Sequence, residues 1–212
     1  MVEEGKGFIF IGPPGSGKGT QAKKLAEFLN YSFISTGDIL REEVKRNTKI
    51  GKFAKEYMEK GLLVPDDLML KIIKKNLKKG IRFILDGFPR TIEQAKGLDE
   101  ILKKKSLKIE KVFYLNVDED EIIKRLSSRR VCPLCKRIYN LLVERPKNDE
   151  ICDICNVKLI LRDDDKEEVI KKRIEVYKKD TEKLISYYKD KLIEIDGEGE
   201  PEKIFENIKN SL

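Results

Sequence analysis

Gly12-Pro13-Pro14-Gly15-Ser16-Gly17-Lys18-Gly19-Thr20 is the stretch whose reading decides the fold. It follows an apolar run, Phe8-Ile9-Phe10-Ile11, and leads into a helical pattern that starts near Lys18. Strand, glycine-rich turn and helix, in that order, are the context of a phosphate-binding loop. The glycines free the backbone to turn successive N–H groups towards one point, and the positive end of the following helix adds to the cradle. Lys18 supplies a point charge that reaches the outer phosphates of a polyphosphate. One position departs from the usual loop. The residue after Gly17-Lys18 is Gly19, where a magnesium-holding Ser or Thr is expected, and Thr20 comes one place late. The loop is therefore either a weakened one or of a subclass that holds magnesium by other means, and the rest of the chain decides for the second.

Outward from the loop, the chain alternates strands and helices. A helix over 18–29 buries Ala22, Leu25, Ala26 and Leu29, and a strand over 32–34 follows. Ser35-Thr36-Gly37-Asp38 caps the next helix, and another helical stretch runs to Gly61. Val64-Pro65-Asp66-Asp67 opens a helix that carries Leu68, Ile72, Ile73 and Leu77 inward and is expected to stop at Gly80. Arg82 to Leu85 forms a strand that delivers Asp86 at its end, the place where ligands gather in an open parallel sheet. A helix over 92–104, a strand over 112–117 and a helix over 118–129 come next. The last of these is expected to present Arg125 and Arg129 from one face. A long helix over 164–188 with Ile170, Ile174, Tyr177, Leu184 and Tyr188 inward, a strand over 192–195 and a helix over 201–208 close the chain. The pattern predicts an α/β class, a doubly wound parallel five-stranded sheet with two insertions.

Composition narrows the chemistry. The 212 residues suffice for one sizeable core, and no apolar stretch approaches the roughly 18 residues of a membrane helix. With no secretory signal pattern, a soluble cytoplasmic protein without a membrane partner is expected. A net charge of +7 suits polyanionic ligands. Charged residues make up 39%, Gln occurs only at positions 21 and 94, and this Lys/Glu-rich balance fits a thermophilic source. The chain has no histidine, which excludes Ser-His and Cys-His nucleophilic catalysis and any imidazole metal ligand. Phosphoryl transfer survives that exclusion, because positioning and electrostatics do most of its work.

Between 131 and 161 the helical period disappears and all four cysteines appear, as Cys132-x2-Cys135 and Cys152-x2-Cys155 with sixteen residues between the pairs. Four thiolates in two knuckles suit tetrahedral zinc, with iron as an alternative and disulfides disfavoured. Four protein ligands leave no open position, so the metal is expected to be structural. A nucleic-acid module is the rival use of such knuckles, but Leu141-Leu142-Val143-Glu144 and Asp149-Glu150 dilute any basic stripe.

Taken together, these residues resemble the adenylate kinases, in the long form whose lid carries a zinc site, and the resemblance runs the full length. It rests on the loop over 12–20, Ser35-Thr36-Gly37-Asp38 with Arg41, Asp86-Gly87-Phe88-Pro89-Arg90-Thr91, the pair Arg125 and Arg129, the four cysteines, and Arg162-Asp163-Asp164 with Arg173. It implies a fold of the nucleoside monophosphate kinase type, in three parts. These are a core over 1–34, 65–127 and 166–212, an AMP-binding insertion over 35–64, and a zinc-binding lid over 128–165. It implies magnesium-dependent transfer from ATP to AMP giving two ADP, in a monomer with no nucleic-acid partner. Gly15, Ser16, Gly17, Lys18, Gly19 and Thr20 would cradle ATP, with Arg125 and Arg129 on it and Ile138, Tyr139 and the backbone of Glu200 near its adenine. Arg41 and Arg90 would clamp AMP, with Thr36, Leu62, Leu63, Val64, Gly87, Phe88, Pro89 and Gln94 around it. Lys18, Arg90, Arg129, Arg162, Arg173 and Asp86 would be catalytic. Arg162 and Arg173 would also face AMP, and Asp86 with Asp38 would hold magnesium through water.

The chain departs from that family at Lys136 and Asn156, where similar lids have glycine. Asn accepts a left-handed backbone more readily than Lys, so the first knuckle is expected to be the strained one. A uridylate/cytidylate kinase is one rival, opposed by Thr36 and the long lid. A non-catalytic nucleotide- or RNA-binding protein is the other, opposed by Lys18, Arg90, Arg129 and Arg173.

Overall fold

The computed structural model describes residues 5–212, so the first four residues of the expected core segment 1–34 lie outside the described residues. A five-stranded parallel sheet forms the centre. Its strands are β1 (Gly5–Ile11), β2 (Ser32–Ser35), β3 (Phe83–Asp86), β4 (Leu107–Asn116) and β7 (Leu192–Asp196), in spatial order β2-β3-β1-β4-β7. The apolar run 8–11 is continuous because β1 is central and buried on both faces. Ile9 and Ile11 pack on one side with Phe83, Leu85 and Leu98, while Phe8 and Phe10 pack on the other with Ile84 and Phe113.

Helix α1 (Lys18–Leu29) leaves the loop and buries Ala22, Leu25 and Ala26, and its side of the sheet is shared with α9 (Pro201–Asn210). The opposite side carries α2 (Thr36–Lys45), α3 (Lys49–Glu59), α4 (Asp66–Asn76) and α5 (Ile92–Lys105). Thr48 caps α3 and Thr91 caps α5, each accepting a backbone N–H three residues on. Helix α6 (Glu119–Ser127) packs on α7 (Glu167–Val176) through Ile122, Leu126, Ile170 and Ile174.

The structure differs from the sequence reading in four elements. Helix α4 ends at Asn76 rather than Gly80, its chain leaving extended at Leu77. Strand β4 starts at Leu107, five residues early, where alternation over Leu107-Lys108-Ile109-Glu110 puts the apolar residues in the core. The helix expected over 118–129 stops at Ser127, and Arg129 lies on strand β5 (Arg129–Val131) instead. Arg125 and Arg129 therefore do not share a helical face. The long helix expected over 164–188 is broken into a 3-10 turn (Asp163–Asp165), α7, a π turn (Tyr177–Thr181) and α8 (Lys183–Tyr187). Its inward residues nonetheless all reach the core.

Strand β5 pairs antiparallel with β6 (Ile138–Asn140), and Val131 exchanges both backbone hydrogen bonds with Ile160. These strands frame the cysteine module. Both knuckles have the same turn, with Lys136 N–H donating to Cys132 O and Asn156 N–H to Cys152 O. Lys136 and Asn156 take positive φ, 63° and 51°, so the first knuckle does hold a lysine in the left-handed region. The 163–165 turn meets α3.

Candidate active site

The loop turns over the carboxyl end of β1. Gly17 caps α1 at φ 86°, a conformation that a side chain at this place would strain. Gly19 solves the puzzle of the missing hydroxyl. A Cβ there would stand 3.1 Å from Asp86 Oδ2, so glycine lets the β3 carboxylate come up against the loop. Asp86 Oδ2 accepts from Ser35 Oγ at 3.1 Å, while Oδ1 is buried without a partner. Ser16 Oγ is likewise buried and unpartnered. Lys18 Nζ donates to Pro13 O at 3.0 Å and forms no ion pair among the described residues. Burial pushes the Lys18 ammonium down to about 7, with Asp86 opposing and Arg90, Arg173 and Arg129 adding to the fall.

Arg90 is held by its own main chain and neighbours. Its Nε donates to Gly87 O at 2.9 Å, its N–H to Gln94 Oε1 at 2.8 Å, and its carbonyl accepts from Thr181 Oγ1 at 2.9 Å. Thr36 Oγ1 donates to Gly87 O at 2.8 Å, which fixes the same turn from α2. The Phe88–Pro89 bond is cis, and Phe88 sends its ring into the core rather than the cleft. Burial, then the charge of Arg173, lowers the Arg90 guanidinium to about 10.

The remaining arginines come from β5, the segment before the 163–165 turn, α7 and α2. Arg129 makes a two-pronged bond to Asp165, Nε to Oδ2 at 2.7 Å and Nη2 to Oδ1 at 2.5 Å. Arg173 Nη1 reaches Asp164 O at 2.7 Å, Asp164 Oδ2 at 3.1 Å and Asp165 Oδ1 at 3.1 Å. Asp165 is 2% exposed, so one buried carboxylate ties both arginines together. Burial opposes the charge on Arg129, but Asp165 outweighs it and the guanidinium is held above its ordinary value. Arg162 has no such partner. Its Nε is buried unbonded, and burial followed by Arg129 and Arg41 pushes it down to about 9. Arg41 pairs with Asp38 at 2.7 Å.

Lys18, Arg41, Arg90, Arg129, Arg162 and Arg173 are six cations on one cleft, and Asp38, Asp86, Asp164 and Asp165 are four anions. The excess is positive and largely desolvated, an arrangement stabilised by a bound polyanion. Beside it, an open cleft of about 610 Å³ runs under Leu62, Leu63 and Val64 past Thr36, Leu40, Met58 and Met69 to Gln94.

Other expected site residues stand apart. Arg125 Nη1 donates to Gly197 O at 2.8 Å, tying α6 to the turn after β7. Ile138 is exposed on β6, and Glu200 precedes α9 in solvent. Tyr139 is the clearest difference. Its side chain is buried in the cysteine module with Cys132, Cys152 and Leu159, its hydroxyl 3.5 Å from Cys152 Sγ.

Two anchors escaped the sequence reading. Asp165 sits in a run of three aspartates that reads as an ordinary acidic helix start, and Asp66 reads the same way before α4. Burial of Asp165 and the ladder from Asp66 to Gln94 are tertiary facts with no local signal.

The four cysteine sulfurs lie within 4.8 Å of one another. Cys135 and Cys152 Sγ are 3.6 Å apart, far beyond a disulfide and near the roughly 3.8 Å edge of a tetrahedron with ~2.3 Å metal–sulfur bonds. Cys135 N–H and Cys155 N–H turn towards Cys132 Sγ and Cys152 Sγ, supporting them as thiolates. The donor set fits zinc.

The family model described as adenylate kinase matches residues 10–193. A curated adenylate kinase of Petrotoga mobilis is 50% identical over 206 residues, covering 96% of each chain. Those of Methanocella arvoryzae and Archaeoglobus fulgidus are 50% and 49% identical, covering 97% and 96% of each chain. With a family model over most of its length, and relatives matched almost end to end, the chain belongs to the adenylate kinase family of enzymes.

Proposed function

We propose that the protein transfers a phosphoryl group reversibly between ATP and AMP, giving two ADP. The observation that carries this is the desolvated excess of cations between the loop and the cleft that ends at Gln94. In this reading the chain divides as expected from sequence into a core (1–34, of which 5–34 is described, 65–127 and 166–212), an AMP-binding insertion (35–64) and a lid (128–165). Four cysteines placed to hold a metal and joined by no disulfide suit a reducing, cytoplasmic setting. No helix among the described residues is long and apolar enough to cross a membrane.

In this reading the loop backbone over 15–20 and Lys18 take the outer phosphates of ATP, and Arg90 with Arg41 holds the AMP phosphate. Arg129, Arg162 and Arg173 spread over the transferring group, where planar forks match its three equatorial oxygens. The attacking atom is already a phosphate oxygen, so no general base is needed and the absence of histidine costs nothing. The lid excludes water, which would otherwise intercept the transfer. Asp86, with its free Oδ1, fits a water-mediated magnesium site, whereas Asp38 is committed to Arg41. Magnesium bound with ATP would supply neutralisation of phosphate charge. ADP alone, with magnesium, should yield ATP and AMP in equal amounts. Formation of AMP and inorganic phosphate instead would contradict the proposal.

Lys18 gives a proton-linked test. Because burial lowers its ammonium to about 7, much of it is neutral at pH 8 in the free protein. A polyphosphate favours the charged form and raises that value, so binding takes up a proton. Calorimetry of ATP binding at pH 8 in two buffers of different ionisation enthalpy should give net uptake approaching about one proton. The uptake should vanish in Lys18→Met. No uptake in the parent protein would contradict the assignment.

The zinc reading rests on the sulfur geometry. Strong chelation or Cys135→Ser is expected to release about one zinc per chain and lower the melting temperature by roughly 5–10 °C. Activity at moderate temperature should suffer less than in Lys18→Ala. Metal-free purified protein, or activity abolished while the fold stays intact, would overturn a structural role.

A further inference from the structure

Gln94 lines the cleft and is 2% exposed. Its amide has two chemically opposite neighbours. Arg90 N–H, which can only donate, meets Gln94 Oε1 at 2.8 Å. Asp66 Oδ1, an acceptor when ionised, meets Gln94 Nε2 at 2.7 Å. Reversing the amide would set N–H against N–H at one end and oxygen against carboxylate at the other. The orientation thus follows from the partners' chemistry alone. Asp66 is itself held, its Oδ2 accepting from Thr91 Oγ1 at 3.0 Å, and that hydroxyl caps α5 by accepting Gln94 N–H at 3.1 Å. After these bonds the amide keeps one N–H and one oxygen lone pair.

We propose that Asp66 is the positioning residue that sets base choice in this cleft, by holding the Gln94 amide so that its free N–H and lone pair match adenine. Adenine offers an acceptor at N1 and a donor at its amino group. Hypoxanthine presents the reverse, a donor at N1 and an acceptor at O6. The residue acts through Gln94 in this cleft and not through the loop or Lys18, so it governs recognition of the acceptor and leaves ATP alone. The inference rests on the reading of this cleft as the AMP site.

The test compares AMP and inosine monophosphate as acceptors with the full-length protein, at saturating magnesium and ATP. The parent should strongly prefer AMP. Asp66→Ala should lower the AMP-to-inosine-monophosphate ratio of kcat/KM by about tenfold or more, the loss of one well-placed hydrogen bond. The loss should fall mainly on KM for AMP, with KM for ATP within about twofold of the parent. Asp66→Ser keeps a hydroxyl at the start of α4 but is too short to reach Gln94, and should behave alike should the alanine variant melt below the assay temperature. Asp66→Asn still offers Gln94 an oxygen and should keep the ratio within about threefold of the parent. An unchanged ratio in the alanine and serine variants, or a parallel loss for ATP and AMP, would overturn the assignment of Asp66. If the parent forms no ADP from ATP and AMP, the reading of the cleft fails first and the role of Asp66 with it.

Discussion

Lys18→Ala is expected to lower kcat/KM by roughly 10³-fold while leaving the melting temperature unchanged or raised. The two signs have one cause. Lys18 is a buried cation with no ion pair among the described residues, and Arg90, Arg173 and Arg129 press on its charge. Without an anion, holding a charge there is costly, which is why burial lowers the ammonium to about 7. Removing it therefore spares the fold and removes a transition-state contact. Measured kcat/KM beside a thermal melt decides the matter. A variant that loses activity and stability together would make Lys18 a structural residue.

Asp165→Ala is expected to act the other way round, on stability first. The carboxylate is buried and joins Arg129 to Arg173, so its removal leaves two guanidinium groups facing each other with Asp164 as the remaining paired carboxylate, on Arg173. Breaking a buried pair from one side costs about 3–5 kcal/mol. For a chain of this size that is a fall in melting temperature of roughly 10 °C. Activity should fall too, since both arginines lose their aim. The exposed neighbour supplies the control: Asp163→Ala should shift the melt by no more than about 2 °C. Equal effects from the two substitutions would mean that the bridge carries no energy.

These two residues show what the sequence could and could not tell. Lys18 was legible because its role follows from covalent neighbours: glycines that permit the turn, a strand before it, a helix after it. Asp86 was legible for the same reason, as the end of a short apolar strand, and Gly19 explained itself once the two met. Asp165 was illegible because its burial depends on a β5 arginine and an α7 arginine that fold onto it. Arg129 was misread for a related reason. A spacing of four from Arg125 looks helical, yet α6 ends at Ser127, and β5 then pairs with Ile138–Asn140 and with Ile160 across some thirty residues of chain. Strand β4 was found short because lysines at 108 and 111 interrupt its apolar run, and the alternation over 107–110 breaks at a register shift before Lys111. The π turn over 177–181 leaves the inward set intact while breaking the helix, so periodicity alone passed over it. Tyr139 has a packing role that the sequence did not show. A position expected near a base carries a side chain that closes the cysteine module.

The central claim is transfer from ATP to AMP as the specific acceptor. It is tested most directly by ADP formation from ATP and magnesium with AMP, UMP and CMP each offered in turn at matched concentrations. The account predicts rapid ADP formation with AMP and kcat/KM lower by about 10²-fold or more for both pyrimidine nucleotides. Comparable turnover with UMP or CMP, or no ADP with any acceptor, would contradict it.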